Sequence, residues 1–388
     1  MKNYLNSSFQ RILNDQELFL FYKGRVALYA LLKTMGVGPG DEVLMPAYTC
    51  VVVPNAVKYL GAMPRYVDIE LPSFSVKPEV LASAIKPATK AVTCQNTYGL
   101  SYGVDSIAAI CRERGIYSIE DCTHGFGGTY KGKSNGSYCD AAFYSSQWNK
   151  PFSTGIGGYA LVNNDALRES FAAYAASLPQ PSLKTQAMLW TLMRVRNLIS
   201  PGTYYAFVDA YRFLSKHNLV TGSSSGQELI STDMPPDYLM TMSGVQKRAA
   251  VKSLARLPEL NALRKANGAL YTAHLAKAGL NHVDPALHDD HLFLKYPLLV
   301  KDRETFTAKA KEAHIPLGDW FCSALHPIEG DLTPWDFDTS LYPNAVFAAA
   351  HVVNLPADTR APEKVLDFVD KNMSLIFDKT VDGRIANS

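Results

Sequence analysis

Lys150 closes the run Asp140-Ala141-Ala142-Phe143-Tyr144-Ser145-Ser146-Gln147-Trp148-Asn149-Lys150, and Thr154-Gly155-Ile156-Gly157-Gly158 follows it. A lysine amine turns nucleophilic at neutral pH when a low-dielectric setting near polar or cationic groups lowers its pKa. Trp148 and Phe152 flank Lys150 and offer that setting, and the glycines permit a tight return into the next apolar run. The plain alternative is a solvated loop lysine. Two other blocks carry matching chemistry. In Ile119-Glu120-Asp121-Cys122-Thr123-His124 a carboxylate ends an apolar run. There it can keep a pyridine nitrogen protonated, which makes pyridoxal phosphate (PLP) an electron sink, or it can simply cap a helix. In Lys23-Gly24-Arg25-Val26-Ala27-Leu28 a glycine opens a helix. Backbone N–H groups at such an end can approach a phosphate, although a capping glycine has the same appearance.

These blocks need a frame that brings them together. Between residues 25 and about 165, apolar runs at 41–46, Pro64 to Val67, 91–96 and 116–121 read as buried strands. The stretches 50–61, 77–87 and 104–115 between them have the 3.6-residue apolar spacing of helices. This rhythm predicts an α/β fold, a mostly parallel sheet covered on both faces by helices. Ligands in such sheets collect at the carboxyl ends of the strands, where the three blocks fall. From about 166 to 240 the rhythm breaks, with two helices expected at 183–217 and a loop after them. A helix is expected at roughly 243–277, a strand at His291–Val300 and helices near 304–314 and 363–377.

Composition excludes several classes. The chain has 388 residues, 47% hydrophobic and 19% charged, which suits one large and one smaller globular domain. A formal charge of +2 gives no electrostatic reason to expect nucleic acid. The six cysteines are scattered with no C-x-x-C pair, as for reduced thiols in a cytoplasmic protein. The first residues lack the apolar core of a signal peptide, and no apolar stretch is long enough to span a membrane. His288-Asp289-Asp290-His291 has the residue types of a metal site but no further ligands nearby, so no metal is expected.

Seven ordered blocks extend the pattern: Gly24-Arg25, Gly36-Val37-Gly38-Pro39-Gly40-Asp41-Glu42-Val43, Gly61-Ala62-Met63-Pro64, Val67-Asp68-Ile69, Ile119-Glu120-Asp121, Cys139-Asp140-Ala141-Ala142 and Thr154 to Gly158. Their order and spacing resemble the DegT-type sugar aminotransferases, PLP enzymes of fold type I that aminate keto-sugars, usually nucleotide-linked. The resemblance is continuous from about 24 to 165 and patchy beyond. It implies a large PLP-binding domain over 1–242, with a mostly parallel seven-stranded sheet and a helical insertion at 183–217, and a smaller C-terminal α/β domain over 243–388. Lys150 falls on the family's Schiff-base lysine, which also moves protons. Asp121 falls on the partner of the pyridine nitrogen, and His124 on a residue touching the cofactor. Ser145 and the amides of Gly24 and Arg25 match the phosphate cradle. Tyr48, Trp148 and His326 are assigned to the substrate side. Amino-acid donor (glutamate), keto-sugar acceptor and homodimer are implied in the same way.

Two departures stand out. Cys50 occupies the position where many members stack an aromatic on the cofactor ring, leaving that contact to Tyr48 or His124. The cross-interface Asn of many members is replaced within Leu239-Met240-Thr241-Met242, so Arg25 or the segment from Tyr238 is expected to serve the phosphate. The competing readings are a PLP enzyme acting on a non-sugar ketone and a non-catalytic protein of the same fold. The basic and aromatic residues of 183–217 read as an oligomer-facing or solvated helical pair.

Overall fold

The computed structural model describes residues 17–196 and 227–381, with positions 203, 207, 210, 213, 384 and 385. The second helix expected within 183–217 lies largely outside the described residues; the first is present at Leu183–Arg196.

Seven strands form the main sheet: β1 Phe19–Phe21, β2 Glu42–Pro46, β3 Met63–Val67, β4 Thr89–Gln95, β5 Tyr117–Asp121, β6 Ala141–Ser145 and β7 Gly158–Val162. Their spatial order is β1-β7-β6-β5-β4-β2-β3. Strands β2 to β6 run parallel, while β7 pairs antiparallel with both β6 and β1. The expected α/β architecture with a mostly parallel sheet is therefore present. Every residue of β2, β6 and β7 is buried, as strands covered on both faces require. The helix Val104–Glu113 shows how the cover forms. Val104, Ile107, Ala108 and Cys111 make one buried stripe at helical spacing. The helix Gly24–Thr34 is apolar nearly all round and is buried from Gly24 to Leu32. It is a core helix, and its N-terminus meets the end of β6.

The carboxyl ends of the parallel strands bring Pro46, Gln95, Asp121 and Ser145 to one edge. A second core lies in the C-terminal part. There Tyr296–Leu299 and Val352–Leu355 pair antiparallel, and Tyr271, Phe306 and Phe368 pack with them. The helix expected at 243–277 is two helices, Gly244–Leu254 and Leu257–Lys277. Pro258 in the first turn of the second explains the break, because proline lacks the N–H that a continuous helix would need there. The expected strand at His291–Val300 is shorter. His291 bridges to Leu100 and Phe293 takes φ 53°, so regular pairing starts only at Tyr296. The helix expected at 363–377 ends at Asp370, and the helix Asp165–Ser177 appears where none was read.

Candidate active site

Lys150 sits in the tight loop between β6 and β7. Its backbone N–H donates to Gln147 O at 3.0 Å. Two arginines hold this loop from outside. Arg196 donates to Trp148 O at 2.8 Å, and Arg264 to Pro151 O at 3.0 Å. The Lys150 Nζ lies 4.4 Å from the centroid of the Trp320 ring, and it has no hydrogen bond or ion pair to any described residue. Burial lowers its pKa to about 8, with the fields of Asp121 and Cys50 pulling the other way. One lysine thus combines a largely dehydrated amine, an aromatic face and two potential anions.

Asp121 is 4% exposed. Its Oδ1 accepts from the Thr123 N–H at 2.9 Å, and burial pushes the carboxyl upward in pKa. It has no ion-pair partner within the described chain, so a cationic N–H is the ligand it suits. Its neighbour Glu120 points elsewhere and is fully used, accepting from Asn96 Nδ2 at 3.0 Å and the Gly136 N–H at 2.7 Å.

The phosphate-type cradle forms where the helix Gly24–Thr34 begins. Its N-cap, Lys23, gives no side-chain cap, and no acidic residue occupies the first turn, so the amide end is left for an anion. Position 24 is tight for any side chain, since a Cβ there would lie 3.0 Å from Tyr144 O and 3.1 Å from Ser145 Cβ. Ser145 Oγ is close by and held only by long contacts of 3.4 Å. The Arg25 guanidinium turns away to a buried ion pair with Glu228 at 2.5 Å, and Lys23 Nζ stands 3.8 Å from the same carboxylate. Tyr238 donates to Arg25 O at 3.0 Å, which places the segment that replaces the family's Asn against this helix end.

Cys50 and His326 meet through a short parallel pair, with Thr49 N–H donating to Ala324 O and Val51 N–H to His326 O, both at 2.9 Å. This pairing carries Trp320 and Phe321 over the site from far along the sequence. His326 Nδ1 is 3.2 Å from Cys322 Sγ. His124 is 2% exposed and accepts the Tyr98 N–H on Nδ1 at 3.1 Å. Its ring lies parallel to the Trp320 indole, 4.7 Å between centroids and 5° between planes. Burial first, then the fields of Lys150, Lys295 and His326, hold His124 well below its ordinary pKa, so it is neutral.

The structure thus gathers Gly24, Ser145, Asp121, Lys150, Cys50, His124 and His326 around one edge of the sheet. Tyr48 lies beneath it, fully buried, with its hydroxyl 2.7 Å from Tyr98 Oη and taking the Phe321 N–H at 3.2 Å. Trp148 carries the Arg196 guanidinium 5.1 Å from its ring. Three residues close to the site were not singled out in the sequence: Trp320 over Lys150, Glu228 against Arg25, and Lys295, whose charge acts on His124. The aromatic pair before Cys322 was the only local signal for Trp320, and no spacing tied it to Lys150. Among the described residues no helix is long and apolar enough to cross a membrane, and no cluster has the makings of a metal site.

Comparison with known proteins gives this geometry a family. The chain matches the DegT/DnrJ/EryC1/StrS aminotransferase family over residues 5–196 and 206–371. It is 35% identical over 144 residues to GDP-perosamine synthase of Escherichia coli O157:H7, covering 37% of this chain and 40% of that one. It is 27% identical over 341 residues to the spore coat polysaccharide biosynthesis protein SpsC of Bacillus subtilis, covering 85% and 77%. The chain spans between 29% and 40% of the length of the first five curated relatives it matches. Among solved structures, a putative sugar aminotransferase of Streptococcus pneumoniae in its PLP form superposes with a TM-score of 0.71 at 20% identity, covering 96% of this chain and 90% of that one.

Proposed function

We propose that this chain, which belongs to the DegT/DnrJ/EryC1/StrS aminotransferase family, is a PLP-dependent transaminase that moves an amino group from an amino acid to a keto-sugar. The observation that carries the reading is Lys150, a largely buried amine with a pKa of about 8, facing Asp121 and roofed by Trp320. The residues present fit the cofactor. The capless helix end at Gly24, with Ser145 Oγ beside it, suits a phosphate, and the unpaired carboxylate of Asp121 suits a protonated pyridine nitrogen. When bound, PLP supplies an electrophilic carbonyl carbon and a ring that accepts carbanion charge.

The chain's own residues do the rest. With a pKa of about 8, roughly one Lys150 in ten is neutral at pH 7, against about one in three thousand at the ordinary value. That neutral Nζ would first hold the cofactor and, once released, carry a proton between the donor's Cα and the cofactor's C4′. Asp121 keeps its proton partner charged through the reaction. His124, neutral and fixed by the Tyr98 N–H, orients polar groups beside the ring. Trp320 excludes water from Nζ on one side and offers the aromatic face that Cys50 does not.

The acceptor class rests on relatives named for sugar chemistry, such as GDP-perosamine synthase. Glutamate as donor, a nucleotide-linked acceptor, a cytoplasmic setting and a homodimer with sites at its interface complete the proposal. Light scattering that finds only monomers in the active enzyme would remove the shared interface. The activity test loads the chain with PLP and offers glutamate with a panel of nucleotide-linked keto-sugars. An aminated sugar nucleotide detected by mass spectrometry is the expected product. Amino transfer to simple ketones but to no sugar would favour the second reading, which the thiol of Cys50 in place of an aromatic motivates.

A further inference from the structure

Lys295 follows a strap, His291 to Leu294, that lies on the turn Tyr98–Leu100. Leu292 N–H donates to Gly99 O at 2.8 Å, and Lys295 N–H approaches Tyr98 O at 3.5 Å. The same turn gives its Tyr98 N–H to His124, and His124 is stacked on the Trp320 ring that covers Lys150. Lys295 is therefore tied, through two residues, to the substrate side of the reactive amine.

Its ammonium has no hydrogen bond or ion pair among the described residues. Burial pushes its pKa down, and the charges that act on it are Asp358 and Asp319 against Arg264 and Arg196. Arg264, 2% exposed, spends NH1 on Pro151 O and Asn261 Oδ1, at 3.0 Å each. Its NH2 reaches only to 3.9 Å from Asp358, and its buried Nε finds no partner. Buried donors left without acceptors are costly and uncommon in a folded chain. A lysine with no partner and a buried guanidinium Nε with none, both close enough to act on each other, are arranged to receive an anion.

We propose that Lys295, supported by Arg264 and Arg196, recognises an oxyanion of the substrate: a carboxylate of the amino donor, or a phosphate or carboxylate of the acceptor. The proposal deepens the transaminase reading by giving the substrate's charge a place to bind. Lysine suits it as a compact, mobile point charge, while the two arginines fix the loop that carries Lys150.

The test uses the PLP-loaded full chain with Lys295→Met and Lys295→Arg, and two probes in calorimetry: glutarate for the donor carboxylate and UDP for the acceptor phosphates. Thermal midpoint and PLP content check that each variant folds and loads. Lys295→Met is expected to weaken one probe by about tenfold to a hundredfold, and Lys295→Arg to keep most of that affinity. The probe that weakens identifies the source, and the KM of the matching half-reaction should rise with little change in kcat. Unchanged binding of both probes in Lys295→Met overturns the proposal, as does wild-type protein that binds both more weakly than about 10 mM. Should Lys295→Met not fold, the same readings on Lys295→Gln decide. Because calorimetry needs no turnover, a chain that binds glutarate through Lys295 yet transfers no amino group would refute the transaminase reading alone.

Discussion

Two groups of positive charge border the candidate site, Arg25 with Lys23 and Lys150 with Lys295, and they are settled in opposite ways. At the start of the helix Gly24–Thr34, Arg25 and Lys23 share the Glu228 carboxylate, whose side chain is 1% exposed. Around the loop after β6, Lys150 and Lys295 have no ion pair within the described chain. A buried charge left alone is expensive, so the second cluster persists only by shifting its pKa values downward or by waiting for a ligand. The first cluster is finished by the protein itself. The lesson is that Arg25 is spent on Glu228, while the amide end of the helix, with Ser145 beside it, has no side-chain cap. The unpaired lysines are the ones free to meet chemistry.

The largest effect that sharpens this contrast is at Lys150. Lys150→Ala should abolish turnover and remove covalent attachment of PLP, read as loss of borohydride-trapped label on the chain. Label persisting on another lysine would move the reactive amine and break the comparison at its centre. Asp121→Asn comes next. The amide cannot hold the ring nitrogen's proton as a carboxylate does, so turnover should fall by roughly a hundredfold or more while PLP stays bound. Near-normal turnover would reduce Asp121 to the Thr123 turn it also caps.

Glu228→Gln probes the settled cluster. It leaves Arg25 buried without its counter-charge, and breaking such a pair costs about 3–5 kcal/mol. The expected outcome is a lower denaturation midpoint in thermal melts of the PLP-loaded chain. A midpoint unchanged from wild type would mean that the Arg25–Glu228 pair contributes nothing, and the two clusters would not differ as described.

Much of this site was legible in the chain, for a physical reason. Gly24, Asp121, Ser145 and Lys150 stand at the ends of strands whose apolar runs are strong signals, and parallel topology forces those ends to one edge. The same logic failed for residues that arrive by long-range packing. Trp320 reaches Lys150 only because the backbone of Ala324 and His326 pairs with that of Thr49 and Val51. Glu228 arrives on a polar stretch whose composition reads as loop and hides a buried carboxylate. Tyr48 and Trp148 show the other side of reading by neighbourhood. Both are adjacent in sequence to the chemistry, but one is buried under Phe321 and the other faces Arg196. The single helix expected over 243–277 erred because apolar spacing continues through Pro258, whose missing N–H interrupts the hydrogen-bond ladder.

The smallest effect, and the most direct reading of the unpaired cluster, is a pH profile. Burial lowers the Lys150 pKa to about 8. In the PLP-free chain, its reaction with an excess of a simple aldehyde under borohydride needs the neutral amine. The rate at this residue should therefore rise about tenfold per pH unit up to pH 8 and then flatten. Surface lysines, with ordinary values, should still be climbing at pH 10. The linkage to stability has the matching sign. The folded chain binds fewer protons at Lys150 than the unfolded chain between pH 8 and the ordinary lysine value. Across that window, raising the pH relieves the cost of burying the ammonium and favours folding through this group. Peptide-resolved labelling separates Lys150 from the rest. A Lys150 profile that runs parallel to the surface lysines would show a solvated amine, and the distinction between a charge satisfied in advance and a charge held in reserve would fail at its clearest point.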